Sequence, residues 1–378
     1  MDVPFEGVMP VAGAVAPTRR TLAELLAEAR TRTLLLVSPL SHEEMAQEAE
    51  PGIESVLSQL QQILRYEERL LPPDHQPWPT TTYDEWFDTM SDVREQVLQQ
   101  LERADLESPG LAQLYRDVIQ HEYERGESLL EALDARGEPY RPIQVRRLPR
   151  GRRLADPGMM VRFPGGHDLR PFWIDITPIT NGDFLTFMGE GGYSTREFWS
   201  EEGWQWLRDS HIHMPRNWSW QDGAWWLRCM GRERPLDFNR PVTHVSCHEA
   251  EAFARFVGKR LPAEVEWEAA AVWDPESQSR REFPWGTMPP SPTVANLDQL
   301  GFGASAVGAY PGNLSPIGCY GMIGDVWEWT QSAEPGSQPV LRGGSWATRS
   351  GAIRVSTRRS ASASVRHFFT GFRCARDG

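Results

Sequence analysis

Cysteine is scarce in this chain, and basic charge is outnumbered. The 378 residues hold four cysteines, Cys229, Cys247, Cys319 and Cys374, with no C-x-x-C pair among them. That spacing indicates neither a zinc knuckle nor a disulfide framework, and leaves buried free thiols as the expectation. Lysine and arginine total 39 against 52 acidic residues, a net charge of −13, which opposes non-specific attraction to nucleic acid or an anionic membrane. No apolar run reaches the roughly 18 residues of a spanning helix. The opening Met1-Asp2-Val3-Pro4 also lacks the basic start and apolar stretch of a secretory signal. The expectation is a chain that inserts in no membrane and binds no nucleic acid. It would work in the cytoplasm, or be assembled on a particle or surface without a cleaved signal.

What is present divides in two, as the length allows for two cores. Residues 19–135 carry apolar positions on a 3.6-residue period, such as Leu22, Leu25 and Leu26, then Val56, Leu60, Ile63 and Leu64, which predicts a four-helix bundle over 1–136. Pro72, Pro73, Pro77 and Pro79 interrupt it, and Thr82-Tyr83-Asp84-Glu85 restarts it with acidic residues in a first turn. Residues 137–157 turn to Pro, Gly and arginine (Arg146, Arg147, Arg150, Arg152, Arg153) without periodicity and read as a linker. The domain at 158–378 holds every tryptophan except Trp78 and Trp86, among glycines and short strand-like runs such as Phe172 to Ile176. Indoles there would pin irregular backbone through area and one N–H donor each. Helices are predicted at Glu249–Val257, stopped by Gly258, and from Pro262-Ala263-Glu264 through Ala270. The fold class is therefore α+β.

An ordered series of blocks carries a resemblance. Thr177 to Asn181, His244-Val245-Ser246, Gly258 to Glu264, Glu266-Trp267-Glu268, Phe283 to Gly286, Gly324 to Thr330, Arg342 to Trp346 and Gly371-Phe372-Arg373 resemble the formylglycine-generating-enzyme/sulfatase-modifying-factor family. That resemblance implies a C-type-lectin-like domain. Helices placed before such a domain resemble the DinB-like bundle of the ergothioneine-pathway sulfoxide synthases. In those enzymes an early histidine and a late H-x-x-x-H-x-E motif hold a non-haem iron that activates oxygen for C–S bond formation. Here the late motif reads His121 to Glu127, with Arg125 where the second histidine belongs and Gln62 where the first belongs. Arginine offers a metal no lone pair and repels it. The set His121, Gln62, Arg125 and Glu127 therefore reads as a degenerate iron site, iron being retained only if the chain is a synthase. His244 and His248 lie four apart, but His244 belongs to a structural block, and His42 is expected solvated in an inter-helix turn. The copper-holding cysteine pair of the formylglycine branch is missing, since Ile353 stands seven positions beyond Trp346. The resemblance leaves room for structural calcium near Asn296, Asp298 and Asp325.

From Ala347 to Arg376 the sequence has no Lys, Met, Gln, Glu or Trp. These five are unreachable when both adenines of AAC or AAT codons are randomised. The stretch is similar to the variable region of diversity-generating-retroelement target proteins, with Arg342 to Trp346, Arg354, Arg358, Arg366 and Gly371 to Arg373 as fixed elements. The variable region would span 347–370. Ala347, Thr348, Arg349, Ala352, Thr357, Arg359, Ser360, Ala361, Val365, His367, Phe368 and Phe369 would form one exposed face for a protein or surface ligand. The favoured expectation is thus a non-catalytic recognition protein. The alternatives are an iron-dependent sulfoxide or selenoxide synthase acting on hercynine, and a ligand-binding pseudoenzyme with Tyr193, Trp199, Trp204 and Trp206 around a cation. Against the synthase, the Pro72–Tyr83 loop has no arginine pair of the kind used for donor carboxylates.

Overall fold

The computed structural model describes residues 18–50, 52–72, 83–137, 140, 147–151, 158–166, 168–331 and 337–378, without the side chains of 83–85 and 109. Two compact units emerge: the chain up to Ala46 with Leu57–Gly126, and Gln47–Val56 with Glu127–Gly378.

The first unit is helical, as expected. Its helices belong to α1 (Arg19–Val37), α2 (His42–Ala46), α3 (Val56–Glu67), α4 (Tyr83–Arg103) and α5 (Pro109–Arg136). The Thr18 side chain caps α1 by accepting from the Thr21 backbone N–H, which satisfies one orphan donor of the first turn. Leu22 and Leu26 of α1, Leu60 and Ile63 of α3, Val93 and Val97 of α4, and Val118 of α5 are buried. Among them sits a box of four charges that apolar periodicity does not reveal. Arg30 Nε donates to Glu122 Oε1 at 2.9 Å, Arg94 Nη2 donates to Glu122 Oε2 at 2.5 Å, and both arginines also reach Glu67. Each of α1, α3, α4 and α5 supplies one corner, and each corner faces two opposite charges. Burial pushes the Glu122 carboxyl upward, but Arg30 and Arg94 outweigh it and hold the group below its ordinary value.

The second unit takes in Gln47–Val56 and then the chain from Glu127, in the last turns of α5, including the segment 137–157 read as a linker. The described part of that linker lies on the second unit. The Tyr140 backbone N–H donates to the Met230 carbonyl, and its buried ring tilts against Phe302. Then follow β1 (Met160–Phe163), β2 (Phe172–Asp175), α6 (Asn181–Gly189), α7 (Glu201–Ser210), β3 (Trp218–Gln221), β4 (Ala224–Cys229), β5 (Arg232–Pro235), α8 (Cys247–Phe256), α9 (Glu264–Val272), β6 (Trp273–Asp274), β7 (Ser279–Arg280), β8 (Trp327–Trp329), β9 (Val340–Arg342), β10 (Arg358–Ser360), β11 (Thr370–Phe372) and β12 (Ala375–Asp377). The strands form sheets ordered β1-β2-β12, β10-β9-β8-β11, β3-β4-β5 and β6-β7. The β8–β11 pair is parallel, with Gly371 opposite Glu328.

Local chemistry explains the elements. Thr180 with Asp183 and Ser246 with Glu249 form capping boxes that start α6 and α8. Gly258 takes φ +67° after α8, the left-handed conformation that glycine adopts without strain. Indoles pin loops as anticipated: Trp199 Nε1 donates to Gly192 O and Trp329 Nε1 to Val245 O. At the centre, Arg373 binds Glu328 through Nε at 2.6 Å and Nη2 at 2.7 Å, and also reaches the carbonyls of Asp175, Ile176 and Tyr320. Trp267 Nε1 donates to Glu328 at 2.7 Å.

Breaking a buried ion pair on one side strands the partner's charge. Arg94→Met should therefore lower the unfolding free energy by about 3–5 kcal/mol in urea titrations at neutral pH. A loss below about 1 kcal/mol, the size found for exposed pairs, would show that the box does not hold the bundle.

Candidate functional site

In the first unit the expected iron set reduces to a single nitrogen donor. His121 stacks on Tyr66 with ring centroids 4.1 Å apart and planes 15° apart, and Arg69 lies 4.6 Å over the other ring. The Gln62 backbone accepts a hydrogen bond from the imidazole, while Nε2 is buried without a partner. Burial, followed by the Arg125 charge, lowers the His121 pKa to about 4, so the ring is neutral at physiological pH. A neutral imidazole with a bare nitrogen is chemically a ligand. Its surroundings do not supply others. Glu122 and Glu67 are committed to the charge box, and Glu124 is exposed and bonded to Gln120. Among the described residues no three His, Cys, Asp or Glu side chains converge on one point. The described residues of this unit therefore do not fit an iron held by three imidazoles.

Glu127, the fourth member of the expected set, belongs to the second unit and serves as an acceptor there. It receives Trp327 Nε1 at 2.8 Å, Ser345 Oγ at 2.5 Å and Thr348 Oγ1 at 2.8 Å. Three donors satisfy a buried carboxylate without a metal. Two further acidic residues follow along α5. Glu131 binds Arg359 through both oxygens at 2.7 and 2.9 Å, and Asp134 accepts from Asn217 Nδ2 and the Met230 N–H. His244, at φ +60°, places Nε2 3.7 Å from Asp134. His248 instead lies against Trp206, ring centroids 5.3 Å apart, so the two histidines share no site. His42 opens α2 rather than lying in a turn, and it is exposed.

Of the calcium candidates, Asn296 and Asp325 come together. Asn296 Nδ2 donates to Asp325 at 2.8 Å, and the Ser305 N–H and hydroxyl also donate to Asp325. Burial raises the Asp325 carboxyl pKa. Asp298 does not join them; it pairs with Arg349 at 2.9 Å and accepts from the Ser350 N–H. Ile353, at the copper position, is buried in the apolar cluster with Val355.

The tail does not form the exposed face expected of it. Ala347, Thr348, Ala361 and Phe369 are buried. Arg349, Ala352, Thr357, Arg359, Val365, His367 and Phe368 are partly buried, leaving Ser360 exposed. The physical reason is that these side chains carry packing and polar contacts. Thr348 bonds Glu127; the Arg359 guanidinium sits 3.4 Å over Phe368; Phe369 packs on Trp346 at 4.5 Å. His367 lies edge-on to Phe368 at 4.5 Å, and burial with nearby Arg216 and Arg359 lowers its pKa to about 3. The aromatic cage is likewise core. Tyr193 donates to Glu249, Trp199 is buried, and Trp204 and Trp206 pack against the same cluster.

Sequence reasoning missed an open groove of about 380 Å³ in the second unit, lined by Glu50, Arg216, Asn217, Trp218, Arg228 and Glu233 among others. Arg216 holds Glu50 through two 2.6 Å bonds, and Arg228 holds Asn217 at 2.8 Å. A side chain at Gly137 would lie 1.9 Å from the Arg228 guanidinium, and the glycine takes φ +76°. Only Arg216, Arg228 and Gly137 could have hinted at the groove, and they are too far apart in sequence to read as a motif.

The second unit is thus a domain of short sheets, loops pinned by indoles and a buried Arg–Glu centre. Residues 157–378 match the sulfatase-modifying factor enzyme 1-like domain, and the chain belongs to that family. Over nearly its whole length it is similar to the hercynine oxygenase of Mycolicibacterium smegmatis, with 32% identity covering 95% of this chain and 99% of that one. The hercynine oxygenase of Mycolicibacterium thermoresistibile is 31% identical over 97% and 96%. A solved structure, Treponema denticola variable protein 1, matches at 19% identity and TM-score 0.38, covering 58% of this chain and 95% of that one. So slight a likeness carries no argument. The full-length relatives overturn the reading of a non-catalytic display protein, in agreement with the buried tail.

The neutral His121 has a signature. Between pH about 6.5 and about 4 the unfolded chain takes a proton that folded His121 refuses, so stability is lost as the pH drops through that window and regained as it rises. His121→Gln should flatten this part of the stability–pH curve, and the His121 ring signals in NMR should show no protonation above pH about 5. A midpoint near pH 6.5 would refute the burial.

Proposed function

We propose that the chain works as a sulfoxide synthase of the hercynine-oxygenase type, joining the sulfur of a thiol to the imidazole of a hercynine-like trimethylated histidine. One observation carries the reading: similarity to hercynine oxygenases extends across both units, at 32% identity over 95% of this chain and 99% of the relative. A match confined to the second unit would speak for the scaffold only. The reaction balances as one thiol S–H and one imidazole C–H exchanged for the new C–S bond. One atom of dioxygen goes to sulfur, and the other leaves as water with both hydrogens.

The groove at Glu50, Arg216, Arg228 and Glu233 lends support through charge. A betaine carries a carboxylate and a quaternary ammonium, and this wall offers guanidinium and carboxylate groups beside the Trp218 indole. Arg228 suits the carboxylate, and Glu233 suits the cation.

The test is turnover of hercynine with a thiol and dioxygen by the full chain, assayed with and without added Fe(II), with the sulfoxide followed by mass spectrometry. Product at stoichiometry above one per chain is expected. Arg228→Met should raise the hercynine concentration for half-maximal rate about tenfold or more, the size of one charge-assisted hydrogen bond. No product under either condition would sink the synthase reading, and an unchanged half-saturation would remove the groove from it.

A further inference from the structure

The bare nitrogen of His121 lies among groups that could each have supplied a second metal donor and do not. Residue 125 stands one helical turn beyond residue 121 on α5, where side chains four apart share a face. Residue 62 on α3 is close enough for its backbone to accept from the imidazole. Two positions near the imidazole are therefore occupied by a guanidinium, which has no lone pair to give, and by a carboxamide, a weak donor. The neighbouring carboxylates are no substitute. Both oxygens of Glu122 are taken by Arg30 and Arg94, and those of Glu67 by the same two arginines.

We infer that this corner of the first unit is a metal site closed by Gln62 and Arg125, so that the native chain holds no transition metal at His121 and its bundle is secured by the Arg30–Glu67–Arg94–Glu122 box instead. Closure is electrostatic as well as geometric, since the Arg125 charge is felt at the imidazole and would repel a dication still more strongly. The box is neutral overall and complete without an ion, so the helices gain nothing from metal. The inference stands on the side chains of this unit and fails separately from the synthase reading. A native chain that turned over hercynine without metal at His121 would place its oxygen chemistry elsewhere in the molecule.

The experiment compares the native chain with Arg125→His and with the double variant Gln62→His/Arg125→His. Each is loaded anaerobically with Fe(II), desalted, analysed for iron, and exposed to nitric oxide for the paramagnetic signal of a nitrogen-ligated iron–nitrosyl. The native chain should keep less than about 0.1 iron per chain and give no such signal, whereas the double variant should keep about one, as two imidazoles on one face of α5 and a third from α3 allow. The single variant should bind more weakly than the double. Stoichiometric iron with that signal in the native chain would overturn the inference, as would a folded double variant that binds none. Should the double variant not fold, native-chain NMR decides. His121 signals unmoved by Zn(II) support closure, and Zn(II)-dependent shifts at His121 refute it. The melting temperature of the native chain should not change on chelation.

Discussion

The Arg373–Glu328 pair is the constraint around which the second unit is arranged. Both side chains are fully buried, where an unpaired charge would be untenable, so every neighbour is fixed by the need to satisfy them. Trp267 on α9 donates to the same carboxylate. The remaining guanidinium nitrogens reach carbonyls at the end of β2 and at Tyr320. One ion pair thus draws together a helix, a loop and two sheets whose own ladders are only two to four residues long. In a domain so poor in regular hydrogen bonding, such nodes take over the work of long strands. The same device recurs at Arg342 with Glu264 and Glu268, and at Arg366 with Glu249.

The first unit solves a similar problem in a different setting. Helices satisfy their own backbone, so its charge box is free to specify which helices meet and in what register. Four corners, each facing two opposite charges, disfavour any rotation that would leave one corner alone. Acidic side chains that might otherwise turn toward a cation are held in this lattice, and His121 remains a neutral ring stacked on Tyr66.

Much of this was legible in the sequence. The helical period, the restart at Tyr83, the strand at Phe172 and the helices before Gly258 and after Pro262 all follow from local rules, because each depends on neighbours a few residues apart. The departure of Gln62 and Arg125 from a metal-binding pattern was legible for the same reason. The buried tail was not. A codon-level bias in 347–376 predicts which residues occur but says nothing about their surroundings, and Thr348, Arg359 and Phe369 find their partners in Glu127, Glu131 and Trp346. Two of these partners lie more than two hundred residues away. The reach of the second unit into α5 rests on the same kind of distant contact: α5 is periodic throughout, and Glu127 to Arg136 find their tertiary partners in that unit.

The pairing of the final strands has a consequence for how the chain is made. β11 lies parallel to β8, and β12 completes the β1–β2 sheet by pairing Ala375 with Ile174, while Arg373 arrives between them to neutralise Glu328. During synthesis on the ribosome, the sheet edge at β2 and the carboxylate of Glu328 therefore wait for Arg373 and β12, far downstream of β2, before either is covered. The heart of this domain therefore closes in one late step, when segments far apart in sequence meet, rather than stepwise from the amino end.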